Sequence, residues 1–349
     1  MSALWYAILA FMLTTYVVLD GRNFGAGILH WIVARTPLER RQVIAAIGPL
    51  WTWHEVWLLG TGGVMMMAFP RFMALVFSGY YLALFLVLWC ILLRGMSLEL
   101  GGHIDDPLWQ TFWDVIFTVS NALLGILFGA AFGNVVRGVP LADDGSFYLT
   151  FFTNFRVTGH VGLLDWYTVA VALFAVVVLT AHGATYLTMR TEGPVHDRSR
   201  SLAWRLWLAT IPLFFVISAL TWLVRPEVLT GLPQRPFAWL NSLIAVAGGV
   251  ALAVGLRGGR EQLALRGSTL LIYGVIMTGA AALFPVMLYS TLPSAQPLNA
   301  VALAAPDHSL RIAIAWWLPA MLLSLGYVYL IGRHYSGKVP VDKDNQTIY

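Results

Sequence analysis

Residues 168–179 read Thr168-Val169-Ala170-Val171-Ala172-Leu173-Phe174-Ala175-Val176-Val177-Val178-Leu179. In water, so valine-rich a run would suit a buried strand. Its flanks decide otherwise. The apolar stretch extends over Trp166–Leu187, long enough for a helix to cross the roughly 30 Å hydrocarbon core of a bilayer. An isolated strand there leaves its amides unpaired, whereas a helix pairs them internally, so the helix wins. Further runs of this kind lie near Ala3–Leu19, Trp51–Phe69, Met73–Leu93, Val115–Phe132, Leu202–Val224, Ala238–Leu256, Ser268–Tyr289 and Ile312–Ile331. The first continues through Gly21–Trp31 and ends before the Ala34–Arg41 loop.

Composition agrees. The 349 residues are 59% hydrophobic and only 11% charged, against about 25% charged in a soluble domain. Such a chain is not a soluble enzyme, a disordered segment or a nucleic-acid binder. It reads as an all-α polytopic membrane protein of nine transmembrane helices. The many Trp, Tyr and Phe suit aromatic belts at the two interfaces. Cys90 is the single cysteine, which excludes a disulfide framework and a thiolate metal cluster. Met1-Ser2-Ala3-Leu4 lacks a basic leader, so the first run reads as a permanent span.

Nine spans set the termini on opposite sides of the membrane. Arg71, Arg137, Arg156, Arg225, Arg235 and Arg311 then fall on one side, and all remaining lysines and arginines on the other. The richer side is cytoplasmic by the positive-inside rule. The N-terminus is therefore expected outside and the tail Gly332–Tyr349 inside. No connection is long enough for a separate soluble domain; the longest is roughly Gly133–Asp165.

Charged residues within spans cost a few kcal/mol, and each is a functional candidate by default. Asp20 closes the first apolar run in Leu19-Asp20-Gly21-Arg22-Asn23-Phe24-Gly25. It either pairs with Arg22 or a backbone amide, fixing packing, or handles protons. Gly21 and Gly25 form a small-xxx-small pair that admits a neighbouring helix. His54 and Glu55 open the second run among Trp51, Trp53 and Trp57. Adjacent helical residues point about 100° apart, so the two are not expected in one small site, whereas Trp51 and Glu55 share a face. They are either snorkelling polar residues in a Trp belt or the mouth of a proton path, for which imidazole is suited. Arg94 and Glu99 read as an ion pair at a helix end, and Asp114 as an acid stabilised by a helix dipole. No His pair at i,i+4 and no HExxH pattern occurs, although one His suffices to ligate a haem.

Several segments resemble subunit II of the cytochrome bd quinol oxidase family. They are Leu19-Asp20-Gly21 with Gly25-Ala26-Gly27, Gly48-Pro49-Leu50-Trp51 with Glu55-Val56-Trp57-Leu58, Gly62-Gly63, Ala68-Phe69-Pro70, Phe77-Ser78-Gly79-Tyr80-Tyr81, Leu93-Arg94-Gly95 with Glu99, Phe132-Gly133-Asn134-Val135-Val136-Arg137-Gly138-Val139-Pro140, Gly183-Ala184-Thr185-Tyr186-Leu187-Thr188-Met189-Arg190-Thr191 and Phe284-Pro285. They follow in family order from residue 19 to about 290. The resemblance implies two four-helix bundles, at 1–133 and 164–290, one extra helix at 309–332 and a cytoplasmic tail at 333–349. It implies a heterodimer with a subunit I that carries the b-type and d-type haems and the quinol site, in a bacterial cytoplasmic (inner) membrane. A small accessory subunit joins in some complexes, and some members of the family hold a structural quinone. The complex oxidises quinol and reduces dioxygen to water. This subunit is expected to ligate no haem or metal, to stabilise subunit I and to contribute part of a cytoplasmic proton path.

Two departures bear on that path. Where the family reads Trp-Asp-Gly-Asn-Glu-Val-Trp, this chain has Trp51-Thr52-Trp53-His54-Glu55-Val56-Trp57, so the entry acid is Thr52. Where it reads Asp-Gly-Phe-Asp, this chain has Asp20-Gly21-Arg22-Asn23. Asp20 and Glu55 match; either Thr52 relays protons through its hydroxyl, or His54 or Glu55 takes over the entry role, or protons enter only through subunit I. Two alternatives stand beside this reading: a solute transporter or exporter, and a purely structural assembly subunit without a proton role.

Overall fold

The computed structural model describes residues 1–335 and 337–340; the rest of the expected tail, including Lys343, lies outside the described residues. The chain forms α1 (Ser2–Val33), α2 (Pro37–Ile47), α3 (Trp51–Ala68), α4 (Pro70–Gly79), α5 (Tyr81–Leu100), α6 (Pro107–Arg137), α7 (Trp166–Arg190), α8 (Gly193–Val224), α9 (Pro226–Thr230), α10 (Pro236–Arg257), α11 (Glu261–Leu283), α12 (Ala300–Leu303) and α13 (Asp307–His334). The valine-rich run is helical, as the bilayer argument requires. Helix starts follow local chemistry. Thr36 and Glu39 make a reciprocal capping box ahead of α2, Asp106 caps α6 through the Trp109 amide, and Asp165 caps α7. Proline occupies the first helical position of α2, α4, α6 and α10, where its missing N–H is harmless.

Among the described residues, α1, α5, α6, α7, α8, α10, α11 and α13 are long and apolar enough to cross a membrane, eight rather than the nine expected. The ninth run, Trp51–Phe69, is the 18-residue α3, which opens with His54 and Glu55 and so falls outside that set. Three boundaries bear on the site. First, α1 is 32 residues long and unbroken, continuing through Gly21–Trp31 as the sequence reading has it, so Asp20 lies well inside it, about 20 Å from its C-terminal end. Second, the run Met73–Leu93 is split between α4 and α5. Phe147 of the α6–α7 connection packs against Gly79, where a Cβ would lie 2.1 Å from its ring, and the Leu149 amide donates to the Gly79 carbonyl at 3.1 Å. Third, the run Ser268–Tyr289 leaves helix at Leu283. Pro285 has no N–H to continue it, and β1 (Val286–Leu288) instead pairs antiparallel with β2 (Leu298–Asn299).

α1 is the organising element. It packs against α3, α6, α7 and α11, while α5 packs on α6, α8 on α7 and α10 on α11. The Gly21/Gly25 pair does admit a helix, and that helix is α7. A Cβ on Gly25 would lie 2.0 Å from the Leu179 carbonyl oxygen, and one on Gly183 would lie 2.3 Å from the Gly25 backbone. The most apolar window of α7 is 56% buried, whereas those of α8 and α13 are 6% buried, so the latter two face outward.

Candidate functional site

Asp20, Asn23, His54 and Arg94 are all buried, within 3% exposure, where α1, α3 and α5 meet. Asp20 and Asn23 share one face of α1 by their i,i+3 spacing. His54 and Glu55 come from the first turn of α3, and Arg94 from the last turns of α5. Arg94 lies between two carboxylates. Its Nη1 donates to Asp20 Oδ2 at 2.8 Å and its Nη2 to Glu55 Oε1 at 2.5 Å. The same guanidinium stands over the Phe24 ring, 5.0 Å from its centroid. The Trp51 ring packs against Gly95, so the face shared by Trp51 and Glu55 meets α5 as their spacing requires.

The other half of the centre is built on His54. Asn23 Nδ2 lies 2.9 Å from Asp20 Oδ1 and 2.7 Å from His54 Nδ1, while Arg22 Nη2 lies 3.1 Å from His54 Nε2. The charges of Arg22, Arg94, Asp20 and Glu55 cancel, with His54 neutral. The hydrogen bonds, however, do not close. Arg22 offers only donors, so His54 Nε2 must accept. A neutral His54 then carries its proton on Nδ1, facing the amide nitrogen of Asn23, a second donor. Turning the Asn23 amide, an assignment that rests on the network itself, presents Oδ1 to His54; that oxygen is otherwise buried and unpartnered. It also sets two acceptors against each other at Asp20, unless Asp20 carries a proton. One proton on Asp20 therefore satisfies Asp20, His54 and the Asn23 carbonyl, with Asn23 Nδ2 turned away from both, while Arg94 keeps Glu55 as counter-ion.

These contacts correct several sequence readings. Asp20 pairs with Arg94 and Asn23, and Arg22 goes to His54 instead. Arg94 is no partner of Glu99, which is exposed, because its guanidinium is buried and points at α1 and α3. His54 and Glu55 do join one network despite pointing apart, because Asn23, Asp20 and the long side chain of Arg94 bridge the gap. Thr52 is exposed and lies outside the network. Asp114 lies two turns into α6, beyond the reach of the helix dipole. It accepts instead from Arg40 Nε at 2.8 Å and meets His30 Nε2 at 2.9 Å.

Sequence reasoning missed three features. His30 belongs to no motif, yet Asp20, Asn23, Gly27 and His30 follow one face of α1, a spacing visible in the sequence. Arg137 forms a fully buried ion pair with Asp165 and also donates to Asn134 Oδ1 at 2.6 Å, tying the α6 and α7 ends together across their connection. His182 is buried between Ser268 Oγ at 2.8 Å and the Val18 carbonyl at 3.1 Å. Both ring nitrogens of His54 and of His182 are thus engaged within the chain, which suits neither to axial haem ligation. Among the described residues, no group of three or more His, Cys, Asp or Glu is arranged to hold a metal ion.

Comparison with known proteins places this geometry in a family. Residues 1–333 match the family model described as cytochrome bd terminal oxidase subunit II. The chain is 26% identical to cytochrome bd-I ubiquinol oxidase subunit 2 of Escherichia coli K12, over 99% of this chain and 98% of that protein. It is 27% identical to cytochrome bd ubiquinol oxidase subunit 2 of Bacillus subtilis 168, over 97% and 98% respectively. The solved bd oxidase of Geobacillus thermodenitrificans shares the fold, with a TM-score of 0.75 at 15% identity over 96% of this chain and 98% of that one. With the family model matching nearly its whole length, the chain belongs to the cytochrome bd terminal oxidase subunit II family.

Proposed function

We propose that this chain is the haem-free subunit II of a bd-type quinol:oxygen oxidoreductase in a bacterial cytoplasmic membrane. It stabilises a subunit I that carries the haems and the quinol site, and it contributes to cytoplasmic proton uptake for the reduction of dioxygen to water. The partner's haems supply the electron transfer; the residues of this chain hold and move protons. The whole-chain family match supports the assembly, and leaves the transporter reading without support. The proton role is carried by one observation. Asp20 and His54, two buried groups able to take up a proton, are joined through the Asn23 amide in one hydrogen-bonded centre. Thr52 has no part in it, and Glu55, whose side chain is 20% exposed, is the centre's more accessible acid. We place α1, α3, α5 and α6 in one four-helix bundle, α7, α8, α10 and α11 in a second packed on it through α7, and α13 as the extra helix; α1 with α3 and α6, α5 with α6, α7 with α8 and α11, and α10 with α11 are in contact.

The ion-paired Arg94 would serve equally in a structural assembly subunit, the second reading. Purification of tagged chain from its native membrane in mild detergent tests the assembly. The expected eluate contains a second large membrane subunit, b- and d-type haem bands in the reduced-minus-oxidised spectrum, and oxygen uptake on addition of quinol. A chain that elutes alone, stable and colourless, overturns the proposal.

A further inference from the structure

We infer that a hydrated seam between α1 and α6 conducts protons to Asp20 from an entrance at Asp114 and His30. This rests on the proton role proposed above for the Asp20 centre. Asp114, Thr118 and Asn121 are spaced i,i+4,i+7 on α6, and Asp20, Asn23, Gly27 and His30 are spaced i,i+3,i+7,i+10 on α1, so each set follows one face of its helix. The faces meet. His30 Nε2 lies 2.9 Å from Asp114 Oδ1 at one end, and Asn121 lies against Gly27, where a Cβ would come within 2.3 Å of its Nδ2. Along this line His30 Nδ1, Thr118 Oγ1 and Asn121 Oδ1 are all buried without a partner, as is the end of the Asn23 amide turned away from His54. The side chains of His30 and Asn121 are fully buried and that of Asn23 nearly so. Folded proteins satisfy such atoms with ordered water. Four of them in file on two facing helices mark a chain of water sites.

The seam also has a mouth and a destination. The Asp114 side chain is 17% exposed, beside Arg40 at 15%, whereas Asp20 is fully buried. From His30 to Asp20 along α1 is about 15 Å, which a few waters at about 2.8 Å spacing and the Asn121 and Asn23 side chains can bridge. A proton taken from solvent by Asp114 passes to His30 Nε2, and the ring releases one from Nδ1 to the first water. The file delivers one proton to Asp20 Oδ1, so one enters and one arrives. Asn121 is a positioning residue here; its oxygen anchors the water beside Gly27.

The test uses the assembled oxidase, with the haem spectrum as the measure of assembly. Asn121→Leu keeps the volume and removes the polar atoms. The expected result is a complete spectrum, oxygen uptake slowed at least tenfold, and a larger ratio of rates in H2O and D2O. Asn121→Ser, which keeps an oxygen and leaves room for water, restores the rate. Should Asn121→Leu not assemble, Thr118→Val removes a single hydroxyl and carries the same expectation. Wild-type uptake and isotope ratio in Asn121→Leu, or in Thr118→Val where it stands in, overturn the seam. If Asp20→Asn still slows the enzyme, the seam alone has failed; if Asp20→Asn is also silent, the proton role of the centre has failed with it.

Discussion

At the scale of single residues, Arg94 holds the centre together. It is buried with Asp20 and Glu55 as counter-ions, and removing one partner of a buried pair costs roughly 3–5 kcal/mol, because the charge left behind has no water. Arg94→Leu is expected to abolish accumulation of the haem-containing complex in the membrane. Normal haem content in that variant would contradict the geometry. Glu55→Gln is milder, since glutamine still accepts from Arg94. It is expected to leave assembly intact and slow oxygen uptake by about tenfold, within the usual range for a proton-transfer group; an unchanged rate would remove Glu55 from the path. Little of this was legible in the sequence. Asp20, His54 and Glu55 stood out as polar residues among apolar ones, but Arg94 lies far from Asp20 in the chain, and its nearest acid in sequence, Glu99, offered a false partner. Only the fold brings α5 against the start of α3.

At the scale of elements, the ends of helices set both stability and its pH dependence. Glu39 caps α2 outside the spanning helices. Burial pushes its carboxyl up, but the Arg198 guanidinium and the Arg35 and Thr36 amides outweigh that and hold it below the usual carboxylate range. A carboxyl depressed in the folded state contributes stability above its unfolded pKa, about 4.3. That contribution fades as pH falls through the lower folded value. Glu39→Gln should therefore lower the unfolding midpoint of the purified complex at neutral pH, and the difference should shrink below about pH 4; a pH-independent difference would show that the charge is not what matters. Between elements, the α1–α7 contact tolerates no side chain at Gly25. Gly25→Leu is expected to cost about 1–3 kcal/mol or more, read as a lower unfolding midpoint. The small-xxx-small pattern foretold this close approach, whereas its partner helix was not readable. The break at Gly79 was equally hidden, because Phe147 and Leu149, which meet it there, lie in a distant loop.

At the scale of the whole molecule, the class was legible from composition alone, since no soluble surface can be made from so few charges. The number of crossings was not. Among the described residues eight helices qualify by length and apolarity, and α3 decides whether the termini share a side. At about 27 Å α3 nearly spans the core, and its polar start is tied into the Arg94 network rather than exposed to lipid. We expect α3 to cross, which places the termini on opposite sides. Fluorescent-protein and alkaline-phosphatase fusions at each end check this; a cytoplasmic signal from both termini would contradict it.

The central claim is that a buried centre in this subunit carries protons for the oxidase. Asp20→Asn removes the fully buried acid of the centre and leaves Arg94 its other counter-ion, Glu55. The direct measurement is quinol-driven oxygen uptake by the assembled Asp20→Asn complex, normalised to its haem content. The account predicts a rate at least about tenfold below wild type with an unchanged haem spectrum. A wild-type rate in a fully assembled complex would contradict it.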